Sequence, residues 1–251
     1  MKRLWLMLLI ASYLLLSYNA LGGWWNSSMG TLLILLFSYA IWHKDFAANI
    51  GLVTDLKTII ISLALAVVVI VCSFLVMMHI ASGYGVTIQL PGWKDYYHDI
   101  FYTLNEEIVL GAIILFWLTR RKKVRPLWAS AGLAVAFALI HFVFYRWIFL
   151  DRGIIRIPAL VTLFMVGFLR NSLILATGHI GYSWAIHFGW IAVMFGSAHL
   201  NLTTGTIPSE YEKFNMYLGS PLMIVCSSLL AASALAYMIW KRLQTGEDIR
   251  T

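Results

Sequence analysis

The stretch LKTIIISLALAVVVIVCSFLVMMHIA, residues 56–81, decides the fold class of this chain. Its one charged side chain, Lys57, stands near the beginning, and the stretch is longer than the run of about 20 apolar residues with which a helix crosses a bilayer. Of the 251 residues, 61% are apolar and 12% are charged. Soluble domains have about 45–50% apolar and about 25% charged residues. The composition therefore excludes a soluble globular domain and predicts a polytopic membrane protein.

Similar apolar stretches occur on both sides of this one. We predict an all-α protein with about eight transmembrane helices, at residues Leu4–Leu21, Thr31–Trp42, Leu56–Ala81, His98–Leu118, Pro126–Trp147, Ile157–Ala176, Ile180–His199 and Pro221–Trp240. No internal repeat or long linker is visible in the sequence. We therefore expect a single membrane domain over residues 1–251, with a motif-bearing core at about residues 98–200.

The distribution of Lys and Arg predicts the orientation of these helices. With both termini inside, the inner segments carry twelve Lys and Arg side chains and the outer segments carry five, leaving aside Arg170 within the sixth helix. This excess agrees with the enrichment of Lys and Arg in cytoplasmic loops. The same bias explains the net charge of +7, so we expect the lipid bilayer as a partner and no nucleic acid.

Two adjacent glutamates are the exception among the acidic residues. Glu106 and Glu107 lie in the middle of the fourth predicted helix, between Leu104 and Ile108. A charged side chain at such a position costs about 2.5–3.5 kcal/mol on insertion scales. Adjacent helical residues point about 100° apart, so one glutamate can face a cavity while the other pairs with a neighbouring helix. A catalytic carboxylate, a polar contact between helices and a proton relay are all compatible with this placement.

Two histidines lie equally deep within predicted helices. His141 belongs to the fifth helix and His187 to the seventh. Either one alone is compatible with a buried histidine that forms a hydrogen bond across helices. Together with the glutamate pair, they place titratable groups on three helices. Carboxylate and imidazole are the usual groups of general acid–base catalysis and of water activation, with or without a metal.

At these residues the chain resembles the CAAX-protease and bacteriocin-processing (CPBP, or Abi) family of intramembrane proteases. That family carries Glu-Glu-x-x-x-Arg, Phe-x-x-x-His and His-x-x-x-Asn on separate helices. This sequence has Glu106-Glu107, then Phe137-Ala-Leu-Ile-His141, then His187. The order of the motifs and their placement on separate helices are the same.

The similarity extends from about Asn105 to Gly189, and includes Gly167 and Thr177-Gly178 ahead of the third motif. It implies an intramembrane endopeptidase. Since the chain is short, it is more similar to the bacterial members, which implies a multi-pass protein of the bacterial cytoplasmic membrane. Its substrate would be a peptide or protein that reaches the membrane.

The resemblance also implies roles for the four site residues. Glu106 and His141 would activate a water for attack on a peptide carbonyl, and His187 would stabilise the oxyanion that develops. Glu107 would belong to the same catalytic group. Two imidazoles and a carboxylate from Glu106, His141 and His187 could form a ligand set for a divalent metal such as Zn²⁺. The same three groups could equally work without a metal.

Two positions depart from the family pattern. Gly111 replaces the arginine of the first motif, and Ile191 replaces the asparagine of the third. We expect Arg170 to take over the missing arginine's role and to form an ion pair with one of the glutamates. The alternative for Arg170 is a guanidinium that extends along the helix toward the inner surface.

Two other functions remain open at this stage. A proton-coupled transporter would use Glu106, Glu107 and Arg170 as an ion path, although no paired halves with matching broken helices are visible. A catalytically impaired member of the family would act as a membrane scaffold. Gly111 and Ile191 are the residues that favour this last possibility.

Overall fold

The computed structural model describes residues 2–17, 23–83, 88–89, 92–144, 150–151, 154–155, 157–194, 201–202 and 218–245. Within these residues the chain is almost entirely helical. The α-helices are α1 (Lys2–Ser12), α2 (Asn26–Trp42), α3 (Phe46–Asn49), α4 (Leu56–Gly83), α5 (Trp93–Glu106), α6 (Ile114–Phe116), α7 (Pro126–Phe144), α8 (Ile157–Thr177), α9 (Gly181–Met194) and α10 (Pro221–Thr245).

Short segments of other secondary structure complete these helices. The π-helical segments are Tyr13–Ser17, Glu107–Ile113 and Trp117–Arg121, and a 3₁₀ turn covers His43–Asp45. Because the second and third π-helical segments flank α6, residues Trp93–Arg121 form one long helix. The strands are two residues long and pair antiparallel, β1 (Ile88–Gln89) with β4 (Asn201–Leu202) and β2 (Leu150–Asp151) with β3 (Ile154–Ile155).

Five helices in the described part of the chain are long and apolar enough to cross a membrane. They are Leu56–His79, Trp93–Arg121, Pro126–Val143, Ile157–Thr177 and Pro221–Gln244. The predicted helical class is thus confirmed. Helices also lie at the other three predicted positions, but α1, α2 and α9 have 11, 17 and 14 residues, fewer than the 18 required of a candidate membrane span. The number eight and the placement of both termini inside stay predictions, and the predicted helix ends at Leu21, Trp147 and His199 lie outside the described residues.

Small residues bring α9 into close contact with α4. Gly181, Ala185 and Gly189 follow one another at intervals of four residues, which places them on one face of α9. A Cβ atom on Gly189 would lie 2.8 Å from the Cβ of Val69, and one on Gly181 would lie 2.6 Å from the Oγ of Ser62. Small residues at this spacing allow membrane helices to pack closely. This contact sets the position of α9.

A tight turn anchors the beginning of α9. Gly178 has a φ of +80°, a conformation that suits glycine because other residues carry a Cβ atom. The backbone N–H of Ile180 then donates to the carbonyl of Gly51, at 2.8 Å. The start of α9 is therefore tied to the loop that precedes α4.

The long helix Trp93–Arg121 lies at the centre of the packing, because 72% of its most apolar 18 residues are buried inside the protein. Asn105 ties it to α2, because its Oδ1 accepts from Thr31 Oγ1 at 2.6 Å and its Nδ2 donates to the Ser27 carbonyl at 2.9 Å. On the far side of the bundle, α7 approaches α8 at Gly167, where a Cβ atom would lie 3.1 Å from the Cα of Ala134. These contacts surround the two glutamates with helices.

Candidate active site

The structure brings the four predicted site residues together in the interior of the bundle. Glu106 ends α5 and Glu107 begins the π-helical segment, about half-way along the long helix Trp93–Arg121. Both glutamates are fully buried, and His141 of α7 and His187 of α9 are 3% and 5% exposed. A π-helical segment is often found at a functional site, and here it begins at the second glutamate.

The carboxylate of Glu106 lies between the two imidazoles. Its Oε1 is 3.8 Å from Nε2 of His141, and its Oε2 is 3.7 Å from Nε2 of His187. Tyr102, one turn earlier on α5, donates its hydroxyl to Oε1 of Glu106 at 3.1 Å and lies 3.4 Å from Nε2 of His141. The three predicted reactive groups therefore face one another from three helices.

The orientation of His141 is set by its own helix. Its Nδ1 lies 2.8 Å from the backbone carbonyl of Phe137, four residues earlier. Since a carbonyl oxygen only accepts, Nδ1 must carry the proton in this hydrogen bond. The Nε2 atom of a neutral ring is then a hydrogen-bond acceptor directed toward Glu106. The Phe137 ring packs edge-on against the ring of His141, with centroids 4.4 Å apart.

Glu107 holds the other histidine. Its Oε1 lies 2.9 Å from Nδ1 of His187, and its Oε2 accepts from the Ser183 hydroxyl at 2.6 Å. Both partners belong to α9, and Ser183 is one helical turn before His187. The two glutamates thus have different surroundings, since Glu106 faces both histidines while Glu107 is bound to one helix.

Tyr102 and Ser183 are site residues that the sequence reasoning missed. Each lies four residues before a predicted residue, Tyr102 before Glu106 and Ser183 before His187. Residues four apart share a helix face, so this spacing could have indicated both. Each is 3% exposed, which is typical of a polar side chain that is held by partners in the interior.

The expectation for Arg170 was wrong. In the described residues, Arg170 forms no ion pair with either glutamate, and the partners of Glu107 are Ser183 and His187 instead. Nε and one Nη of Arg170 donate to Oδ1 of Asn171, both at 3.2 Å. The guanidinium also lies 4.4 Å from the centroid of the Phe137 ring. At 3% exposure, Arg170 does not extend to the surface either.

Arg170 nevertheless occupies space near the position of the missing arginine. A Cβ atom on Gly111 would lie 2.7 Å from Cδ1 of Ile174, 3.5 Å from Oε2 of Glu107 and 3.6 Å from Cδ of Arg170. Ile174 of α8 thus takes most of the space beside position 111, and Arg170 of the same helix lies next to it. At the second departure, Ile191 is 3% exposed and packs in the apolar core.

A cavity of about 250 Å³ lies beside this site, and His187 is the one of the four predicted site residues that lines it. Its walls come from α4, α8, α9 and α10 and are mostly apolar, with Val69, Leu173 and Leu230 among them. His187, Ser183 and Arg170 contribute polar groups to the lining. Exposed apolar side chains cover the outer face of α4, so the cavity lies among surfaces suited to lipid.

The residues do not form a compact metal site in this arrangement. Zinc requires donor atoms at about 2.0–2.2 Å from one point. Within the described residues, no group of three or more His, Cys, Asp or Glu side chains is placed to hold a metal ion.

No family model, curated protein or solved structure matches this chain. The similarity to the CPBP proteases therefore rests on the motifs themselves.

Proposed function

We propose that this chain is an intramembrane endopeptidase of the CAAX-protease type, in the cytoplasmic membrane of a bacterium. One observation carries the proposal, namely the carboxylate of Glu106 between Nε2 of His141 and Nε2 of His187, at 3.8 Å and 3.7 Å. Nε2 of neutral His141 and the carboxylate of Glu106 are both hydrogen-bond acceptors, so a water between these two groups donates one proton to each. This arrangement activates a water for attack.

The first step is the attack of that water on a peptide carbonyl. Glu106 accepts a proton from the water while the oxygen bonds to the carbonyl carbon, and Nε2 of His141 orients the water through its second proton. Tyr102 supports Glu106 by donating to Oε1. The proton held by Glu106 then passes to the nitrogen of the leaving amine. General acid–base catalysis of this kind contributes about 10²–10⁴-fold to a rate.

The second role is stabilisation of the oxyanion. Glu107 accepts a hydrogen bond from Nδ1 of His187, as the carboxylate does in a Ser-His-Asp triad. A carboxylate in that position orients the ring and stabilises the imidazolium when it forms. This role requires His187 to be the imidazolium from the start of the reaction, so that its Nδ1–H donates to Glu107 while its Nε2–H donates to the oxyanion. Ser183 holds the second oxygen of Glu107 and so fixes the pair.

The apolar cavity supports a substrate that arrives from the bilayer. It connects exposed apolar surface with His187 and Ser183, so an apolar peptide segment can reach the site without crossing an aqueous phase. Arg170 lies along the same path with its Nη1 atom buried and without a hydrogen-bond partner among the described residues. A backbone carbonyl of the substrate would satisfy that donor.

The test compares the peptides formed in membranes that contain different variants. Cells carry the parent chain, Glu106→Gln, His141→Ala, His187→Ala or the control His79→Ala, which changes an exposed histidine near the end of α4. New N-termini in the membrane fraction are quantified after equal insertion is verified. We expect products with the parent and the control, none with Glu106→Gln or His141→Ala, and fewer with His187→Ala. Identical products in all five samples would show that the chain is not a peptidase.

A second candidate function rests on the same cluster. Glu107, His187, Glu106 and His141 form a continuous series of titratable groups in the interior, which also suits a proton-coupled transporter. Such a protein would lose proton-driven flux in Glu106→Gln without any cleaved peptide. A scaffold would keep its cellular phenotype when Glu106, His141 and His187 are all replaced by alanine.

A further inference from the structure

A second and larger cavity, of about 500 Å³, lies away from the candidate active site. It is enclosed by α1, α2, α3 and the last part of the long helix Trp93–Arg121. Its size falls within the about 300–1,000 Å³ typical of small-molecule sites. Nothing in the proposed peptidase chemistry uses it.

Four cations line this cavity, and they come from distant parts of the sequence. Lys2 and Arg3 belong to the beginning of α1, and Arg120 and Arg121 end the long helix. No carboxylate is among the described residues that line it, and within the described part of the chain none of the four cations forms an ion pair. We call this site the basic cavity. Four like charges around one opening attract an anion.

The remaining walls of the basic cavity are apolar. Leu9 is fully buried at its floor, with Ile41 and Val109 close to full burial, and Trp42 and Trp117 also line it. The guanidinium of Arg120 lies 3.8 Å from the centroid of the Phe116 ring, which holds this cation beside the apolar wall. An apolar interior with a cationic rim matches a molecule that has an acidic head and a hydrocarbon tail.

We propose that the basic cavity binds one phospholipid with an acidic headgroup. The phosphate lies between the cations of α1 and those of the long helix, and an acyl chain enters the apolar interior. Basic pockets between membrane helices bind acidic headgroups for this reason. Bound in this way, the lipid joins α1 to the helix that carries Glu106.

The test titrates the purified full chain in a neutral detergent with two lipids that have the same acyl chains. One carries a phosphoglycerol headgroup with one negative charge, and the other carries a zwitterionic phosphocholine headgroup. Binding is followed by the shift of the thermal midpoint and by native mass spectrometry. We expect the acidic lipid to bind at least about tenfold more tightly, and the difference to fall as salt is added. Equal binding of the two lipids would overturn the proposal.

Charge variants locate the site. Each cation near an acidic lipid strengthens binding about fivefold, so Arg120→Gln combined with Arg121→Gln should weaken binding about 30-fold. Lys2→Gln combined with Arg3→Gln, on the opposite wall of the cavity, should weaken lipid binding by a similar factor. This second double variant tests the site even if the Arg120 and Arg121 variant does not fold. The control is Lys122→Gln with Lys123→Gln, which removes the same charge beside the cavity without changing its lining.

Two outcomes would contradict the proposal. A loss in the Lys122 and Lys123 control as large as that in the Arg120 and Arg121 variant would mean that general surface charge, and not the cavity, attracts the lipid. A stabilisation by inorganic phosphate equal to that by the acidic lipid would mean that the cavity binds a free anion. Because none of these variants changes the candidate active site, failure here would leave the proposed peptidase intact.

Discussion

The helices α4 and Trp93–Arg121 are both candidate membrane spans, yet they have opposite environments. The most apolar 18 residues of α4 have a mean hydropathy of 3.2, and only 11% of these residues are buried inside the protein. The most apolar 18 residues of the helix Trp93–Arg121 have a mean hydropathy of 1.5, and 72% of them are buried. The more apolar helix is therefore the more exposed one. This is the reverse of a soluble protein, where exposed residues are mostly polar.

The reversal has a physical cause. Lipid solvates apolar side chains as well as a protein core does, so α4 loses little by facing outward. Polar side chains are costly in lipid, so Asn105, Glu106 and Glu107 have to lie inside. The polar groups thereby mark the centre of this bundle.

The largest effect should come from the buried helix. In the proposed peptidase, Glu106→Gln in purified, liposome-reconstituted protein should lower the rate of peptide cleavage about 10²–10⁴-fold, since it removes the proposed base that accepts the proton of the water. The matched control is Asp45→Asn, which makes the same chemical change at an exposed position and should leave the rate unchanged. A rate for Glu106→Gln equal to that of Asp45→Asn would remove Glu106 from the mechanism.

The second effect concerns the outward face of α4. Val68 is 55% exposed near the middle of this helix, so Val68→Lys should cost about 2.5–3.5 kcal/mol in a membrane-insertion assay. Leu56→Lys at the helix end should cost much less, because a lysine there can extend its ammonium group to water. If the two variants insert equally well, this face of α4 does not lie in lipid.

The third effect concerns the contact between α4 and α9. Gly189→Ala would place a Cβ atom 2.8 Å from the Cβ of Val69, so we expect it to lower the free energy of unfolding by about 1–3 kcal/mol. The control is Gly132→Ala, where no atom lies within 4 Å of the new Cβ atom. That variant should be neutral or more stable by about 0.5–1 kcal/mol. Equal stabilities in detergent would show that α9 does not pack on α4 in this way.

The smallest effect lies at the start of α4, outside the membrane span. Asp55 Oδ1 accepts the backbone N–H of Thr58 at 2.8 Å, and this hydrogen bond lowers the pKa of Asp55 below its usual value of 3.8. Because the folded-state pKa is the lower one, the stabilisation is present above the unfolded pKa and disappears as the pH falls through the folded pKa. Asp55→Ala should therefore lower the thermal midpoint slightly at pH 7 and not at about pH 2.

Asp55→Asn is the control for that last prediction. Asparagine can accept the same backbone N–H but carries no charge, so at pH 7 its midpoint should lie between those of Asp55→Ala and the parent, and the remaining difference from the parent measures the ionised carboxylate. A midpoint of Asp55→Ala that remains below that of the parent protein at acid pH would show that the ionised carboxylate is not the stabilising group.

The site shows how far sequence reasoning reaches here. Glu106, Glu107, His141 and His187 could be chosen from sequence, because a titratable side chain within a long apolar stretch is costly and needs a reason. Tyr102 and Ser183 could not be chosen with the same certainty, because hydroxyl groups at helical positions are common and cost little. The expected ion pair between Arg170 and one of the two glutamates was wrong, since opposite charge suggested it while the helix packing placed His187 and Ser183 beside Glu107.

The sequence by itself determined the helical class, the presence of helices long and apolar enough to cross a membrane, and the identity of the deeply placed titratable residues. These properties depend on composition and on local spacing along one helix. Only the tertiary structure decided which helices are buried and which oxygen of Glu106 faces which imidazole. It also decided that Arg170 stacks on Phe137 and that Lys2 and Arg121 share one cavity. Those facts depend on contacts between residues far apart in sequence, which small residues such as Gly189 permit and which no local pattern specifies.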